Sequence, residues 1–120
     1  MIVNIKNKEY QLNFGIAFIR ALDAKYFTPG VGGAKFGLGI EVSVPKLLTG
    51  DVVALADMIY EATAAEKNRP TQKDVDSFID GVEDIEALFD EVIEELKKSN
   101  ATKKKTTALL ESMNETKTGA

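Results

Sequence analysis

The most abundant reactive groups in this sequence are carboxylates, and they are concentrated in one stretch, Pro70 to Asn100. Between Asp74 and Leu96 there are ten acidic residues and no Lys or Arg. The ten are Asp74, Asp76, Asp80, Glu83, Asp84, Glu86, Asp90, Glu91, Glu94 and Glu95. Carboxylates bind calcium and act as general acids and bases, and both roles demand particular partners at particular spacings.

The calcium pattern fails in this stretch. Asp76, Asp80 and Gly81 fit the first, fifth and sixth positions of a calcium-binding loop. Phe78 then falls at the third position and Ala87 at the twelfth, where oxygen ligands are required. The acids therefore do not predict a calcium loop.

Several residue types that commonly carry out catalysis are also missing from the sequence. The chain contains no Cys and no His, which removes thiol nucleophiles, histidine bases and ordinary zinc sites. A pair of carboxylates that hydrolyses sugars would need a cleft with stacking aromatics, and there is no Trp. We expect the protein not to be an enzyme and to need no metal and no cofactor.

The glycine-rich segment 28–39 does not match a phosphate-binding loop. Gly32 and Gly37 have the spacing of the Walker glycines, but Leu38 and Gly39 stand where Lys and Ser or Thr are required. A dinucleotide fingerprint that starts at Gly30 fails at Lys35. We predict a mobile loop here.

Two amphipathic helices are predicted to carry the acids. Apolar residues recur among them at helical spacing. They are Val75, Phe78, Ile79 and Val82 in the first helix, and Ile85, Leu88, Phe89, Val92, Ile93 and Leu96 in the second. Thr71 and Asp74 resemble a capping box at the start, and Gly81 is expected to end the first helix in a left-handed conformation. Asn100 is the expected cap after the second helix.

The rest of the chain predicts an α+β fold, in which a small N-terminal β-hairpin packs on a mainly helical body of four to five helices. Alternating residues indicate strands at 2–6 and 9–13, joined by a turn at Asn7-Lys8. Helical spacing with Phe14 and Ile16 on the inner face predicts a first helix over 14–27. Segment 40–48 fits a strand or a helix, and we favour a short helix that ends at Leu48. A helix over 52–65 follows, capped by Asp51, with Val53 among its inward residues.

The length of 120 residues suits one domain, which we place at 1–100. Residues 101–120 are predicted to be a Lys- and Thr-rich tail, helical for a turn or two near Leu109 and disordered from Asn114 onward. Net charge is +2 over residues 1–73, −10 over 74–96 and +4 over 97–120. This distribution argues against nucleic-acid binding by the folded part, and no apolar run is long enough to span a membrane.

The sequence resembles the small tail assembly chaperones of long-tailed phages and prophages of Gram-positive bacteria. The resemblance rests on NKEYQLNFGIAFIRALDAKY and LLTGDVVALADMIYEAT. It rests above all on RPTQKDVDSFID followed by EDIEALFDEVIEELKKSNATK. The glycine-rich segment and the last fifteen residues carry no such signal.

The resemblance implies a chaperone of the host bacterial cytoplasm that is absent from the mature virion. Its client would be the tape measure protein, which it would keep soluble while tail tube subunits polymerise around it. A frameshift-extended form would recruit the tail tube protein, and self-association stays open. The expected partners include neither nucleic acid nor a membrane.

The acidic helix pair is the predicted partner-binding surface, although its acids also fit a solvated outer face. The predicted contact residues are Phe78, Ile79, Leu88, Phe89 and Val92, with Asp90, Glu91, Glu94 and Glu95 at the rim. The competing interpretation is that these apolar residues are core. Two other functions remain: an acidic DNA mimic that inhibits a host nucleic-acid-binding protein, and a structural component of the tail.

Overall fold

The chain begins with the expected β-hairpin. The computed structural model describes residues 1–118, and their side chains as far as Asn114. Strand β1 (Ile2–Ile5) pairs antiparallel with β2 (Lys8–Gln11), and Ile5 lies opposite Lys8. The turn is therefore Lys6-Asn7 rather than the predicted Asn7-Lys8. Both turn residues have positive φ, 53° and 63°, as the primed two-residue turn of a twisted hairpin requires.

Six helices follow within residues 1–118, which is one or two more than predicted, and the α+β class is confirmed. They are α1 (Ile16–Lys25), α2 (Gly39–Leu48), α3 (Val52–Glu61), α4 (Gln72–Gly81), α5 (Ile85–Lys98) and α6 (Lys103–Thr118). One core joins them with the inner face of the hairpin. Its fully buried side chains include Phe18, Leu22, Leu55, Met58 and Leu96.

The glycine-rich segment is a second hairpin, not the loop we predicted. Strands β3 (Phe27–Pro29) and β4 (Lys35–Gly37) pair antiparallel around a short 3-10 turn, Val31–Gly33. Gly32 and Gly33 have positive φ, 70° and 80°, which residues with a Cβ rarely adopt. The glycines therefore serve a tight turn between strands.

Segment 40–48 belongs to α2, as favoured from sequence, and Pro45 lies inside it. The predicted cap of α3 is confirmed, because the Asp51 carboxylate accepts a hydrogen bond from the Ala54 amide at 3.0 Å. Two residues expected to face inward do not. Ile16 is 66% exposed and Val53 is 67% exposed.

The C-terminal segment forms a longer helix than the sequence indicated. Helix α6 runs to Thr118 and packs on α2 and α5, so it continues through residues predicted to be disordered. Thr102 and Thr106 are fully buried, and the Thr102 hydroxyl donates to the Leu96 carbonyl at 2.6 Å. Residues 119 and 120 of the predicted disordered tail lie outside the described residues. The division of the chain at residue 100 stays a prediction.

A matched pair of glycines gives a test of this packing. Gly39 begins α2, and its amide donates a hydrogen bond to Asp23 Oδ1 at 2.8 Å. There is no room for a side chain at this position, because a Cβ atom would lie 2.8 Å from Leu22 Cγ. We expect Gly39→Ala to lower the free energy of unfolding by about 1–2 kcal/mol. Gly81 ends α4 without positive φ, contrary to the predicted left-handed stop, and no atom lies near its missing Cβ.

Gly81→Ala should therefore raise the free energy of unfolding by about 0.5 kcal/mol, because Ala restricts the unfolded chain more than Gly does. Urea unfolding followed by circular dichroism measures both variants. The expected result is that Gly39→Ala unfolds at a lower urea concentration than the parent and Gly81→Ala at a slightly higher one. A Gly39→Ala variant as stable as the parent would show that α2 and α1 are not packed as described.

Candidate partner-binding surfaces

The acidic helices begin at well-formed caps. At the start of α4 the Thr71 hydroxyl accepts from the Asp74 amide at 3.1 Å, and the Asp74 carboxylate accepts from the Thr71 amide at 3.2 Å. This is the predicted capping box. At the start of α5 the Asp84 carboxylate accepts from the Ala87 amide at 3.0 Å. The predicted cap at Asn100 is wrong, because α5 ends at Lys98 and Ser99 is its C-cap.

The apolar stripe of the predicted partner site faces the core. Val92 has no exposed surface, and Leu88, Phe89 and Ile79 are also buried. Phe78 is half-buried and packs against the same core. Partner binding through these residues stays a prediction, and it would require α4 or α5 to move away from the body.

The acids assigned to the rim lie on the outer side of α5. Asp90, Glu91 and Glu94 are exposed. Glu95 is half-buried, with its carboxylate 3.9 Å from the N-terminal amine of Met1. The structure thus places three of the four acids where a partner can reach them, and the fourth beside the first β-strand.

Two carboxylates on these helices have lowered pKa values. A hydrogen bond from Lys6, together with bonds from Thr71, lowers the pKa of Asp74 below its ordinary value. The same contact raises the pKa of Lys6. On α5, a hydrogen bond from Lys97 at 2.9 Å lowers the pKa of Glu94. Both acids are therefore held in the ionised form by a paired Lys.

A groove between α3 and α4 is a second surface, which we call the α3–α4 groove. Its volume is about 350 Å³. Ala56 and Ile79 form its floor and are buried, whereas Val52 and Val53 are 48% and 67% exposed. Positions 52, 53 and 56 lie on one side of α3, so the helix has apolar residues facing solvent as well as the core.

Carboxylates surround this apolar groove. Asp57 from α3 and Asp76 and Asp80 from α4 line it. Asp57 lies 3.7 Å from the Lys25 amine, whereas Asp76 accepts a hydrogen bond from the neutral Gln72 amide at 3.1 Å. Within the side chains that the structure describes, Asp80 has no ion pair. The groove is apolar inside and negatively charged outside.

The hairpin of β3 and β4 is a third surface with exposed apolar side chains. Phe27, Val31 and Phe36 are all exposed there. The Lys35 amine lies 4.7 Å from the centre of the Phe27 ring, and Phe36 covers Gly30. This surface is apolar and positive, so it differs in charge from the α3–α4 groove.

Sequence reasoning missed both of these surfaces. The signal for the groove was present in Val52-Val53, two adjacent apolar residues in a helix that needs only one apolar side. The signal for the hairpin was Phe27 and Phe36 on either side of the glycines. The groove was overlooked because its spacing assigned Val53 to the core, and the hairpin because its glycines indicated a mobile loop.

Comparison with known proteins gives one match. In the described part of the chain, no helix has the length and apolar character needed to cross a membrane. Searches of curated proteins and of solved structures gave no significant match. The family model for "Phage tail assembly chaperone protein" matches residues 2–111 and so includes both hairpins, the groove and the acidic helices. The chain therefore belongs to the phage tail assembly chaperone family.

Proposed function

We propose that this protein binds the tape measure protein in the cytoplasm of the bacterial host and keeps it soluble. Tail tube subunits then polymerise around the client, and the chaperone is released before the virion is complete. Membership of the family supports the general role, and the client is the partner that the sequence resemblance implied. The protein acts by binding, without catalysis.

The observation that carries this proposal is an exposed apolar groove on a molecule with a strongly acidic outer side. A long helical client needs its apolar stripes covered, and a groove between two helices can accept such a stripe. The outer acids of α5 would add negative charge to the surface of the complex, which opposes aggregation. Both features lie within the residues that the family model matches.

The same proposal includes the tail tube protein as a second partner, recruited by a frameshift-extended form of the chain. It also leaves room for several copies along one client. The positive hairpin with Phe27, Val31 and Phe36 is available to contact the tail tube protein or another copy of the chain, since it shares no residues with the α3–α4 groove.

The acidic outer side also favours a second candidate, a DNA mimic that inhibits a host nucleic-acid-binding protein. Such a protein would bind through charge, so its affinity would fall steeply with added salt. Client binding combines apolar contacts with charge, so it would weaken less steeply and would persist at high salt. A salt titration of whichever complex forms separates the two functions.

Co-expression with the tape measure protein tests the proposal. We expect the client to move from the insoluble to the soluble fraction and to co-purify with the chain. A client that stays insoluble and unbound would remove the proposal. The purified virion should contain none of this protein, and its presence there would favour a structural tail component.

Charge reversal on α5 tests the role of the acids. We expect Glu91→Lys with Glu94→Lys to lower affinity for the client about tenfold, equivalent to about 1.4 kcal/mol, with the fold intact. Glu95 is left unchanged, because a Lys there would lie beside the Met1 amine. Pull-down across a dilution series measures the affinity.

The matched control reverses two exposed acids elsewhere, Glu9→Lys with Glu111→Lys, and so makes the same change in net charge. Affinity should stay near that of the parent. Equal loss in both variants would mean that only total charge matters, and no loss in either would discard the role of the α5 acids.

A further inference from the structure

We propose that the α3–α4 groove binds an amphipathic helix that carries Lys or Arg beside its apolar stripe. This inference deepens the proposed function and rests on it, because it specifies which segments of the client are bound. It assigns binding to a surface outside the acidic helix stripe that the sequence indicated.

The floor and wall of the groove match the apolar stripe of a helix. Ala56 and Ile79 are buried at its floor, and Val52 and Val53 stand exposed along one wall. Helices that bind such grooves insert side chains spaced three or four residues apart. A volume of about 350 Å³ provides space for a few side chains of that kind.

The acids determine which amphipathic helix fits. Asp76 and Asp80 lie four residues apart on α4, so they follow the same side of the groove as a row of negative charge. Asp76 accepts a hydrogen bond from the neutral Gln72 amide, and Asp80 has no ion pair with any side chain that the structure describes. Cations that flank the apolar stripe of the bound helix would neutralise this row.

An acidic amphipathic helix is excluded by the same argument. It would bring carboxylates against Asp76 and Asp80, and like charges oppose association. Lys25, which lies 3.7 Å from the groove residue Asp57, is shared with Glu61 at 4.0 Å. The groove thus selects by charge as well as by shape.

Two synthetic helical peptides of roughly 18 residues test the charge preference directly. Both carry the same Leu stripe, flanked by Lys in one peptide and by Glu in the other. Fluorescence anisotropy with the full-length protein should show the Lys peptide binding at least about tenfold more tightly than the Glu peptide, with the difference shrinking as salt rises. Equal affinities for the two peptides would overturn the inference.

Two groove variants locate the binding. Val52→Ser with Val53→Ser should weaken binding of the Lys peptide about tenfold by removing apolar contact. Asp76→Asn with Asp80→Asn should weaken the Lys peptide and bring the two peptides to similar affinity. Ile16→Ser is the matched control, because Ile16 is 66% exposed on α1 and does not line the groove. The site would lie elsewhere if this control lost as much affinity as the groove variants. The same would follow if both groove variants bound as well as the parent.

The outcomes separate this inference from the proposed function. If the parent solubilises the tape measure protein and the groove variants do so equally well, the chaperone role stands and the groove assignment is wrong. If the Lys peptide binds in the groove but the tape measure protein stays insoluble, the groove assignment stands and the proposed client is wrong.

Discussion

Val92→Asp is expected to lower the free energy of unfolding more than any other substitution considered for this chain. Val92 lies on the inner side of α5 and has no exposed surface, so a carboxylate there would be buried without a partner. Such a substitution costs about 4 kcal/mol or more, which is a large part of the stability of a domain of this size. Circular dichroism and urea unfolding measure the effect.

The same substitution at Val53 is the control. Val53→Asp places the charge on a side chain that is 67% exposed, so the free energy of unfolding should change by no more than about 0.5 kcal/mol. A Val92→Asp variant that is as stable as the parent and merely fails to bind the client would contradict the core position of Val92. It would also favour the original assignment of the α5 stripe to partner binding.

Arg69→Ala should lower the free energy of unfolding by about 2–4 kcal/mol, although Arg69 is partly exposed. Its guanidinium donates to the Tyr60 carbonyl at 2.8 Å and to the Thr63 hydroxyl at 3.3 Å. It also lies 3.8 Å from the Glu61 carboxylate and 4.0 Å from the centre of the Tyr60 ring. Glu61 is buried. Among the side chains that the structure describes, removing Arg69 leaves the Lys25 amine, at 4.0 Å, as the one ion-pair partner of Glu61.

Arg69→Lys should restore less than half of the stability that Arg69→Ala removes. A single amine cannot reach the Tyr60 carbonyl, the Thr63 hydroxyl and the Glu61 carboxylate at the same time, as the planar guanidinium does. Lys67→Ala is the control, since Lys67 is exposed in the same connection between α3 and α4. It should unfold at the same urea concentration as the parent. Arg69→Ala within about 0.5 kcal/mol of the parent would mean that the Arg69 contacts do not hold this connection.

Local interactions made much of the fold predictable. The capping box of Thr71 and Asp74 and the cap at Asp51 each involve residues three apart, so the sequence contains the whole interaction. The strands of the first hairpin were predictable because Val3 and Ile5 alternate with polar residues. The turn was misplaced by one residue, since Lys is not a typical residue for positive φ.

Contacts between distant residues were not predictable. The second hairpin depends on Gly37 and Gly39 lying against Asp23, fourteen and sixteen positions earlier in the chain. Helix α6 was underestimated because Thr102 and Thr106 are polar by type and buried by packing. A pattern of apolar residues does not reveal either contact.

The candidate site shows the same limit. The sequence correctly placed Leu88 and Val92 on one stripe of a helix, but it could not specify whether a partner or the body of the protein covers that stripe. The body covers it in the folded chain. Val53 was assigned to the core by its spacing, and only the arrangement of α3 against α4 reveals that it faces solvent.

The most direct test of the central claim is light scattering as unfolded tape measure protein is diluted into buffer. With an equimolar amount of this protein present, we predict that aggregation is suppressed and that a soluble complex of the two proteins can be isolated. The control is an inert protein of the same size and net charge. The claim would be contradicted if scattering were the same with either protein and no complex could be isolated.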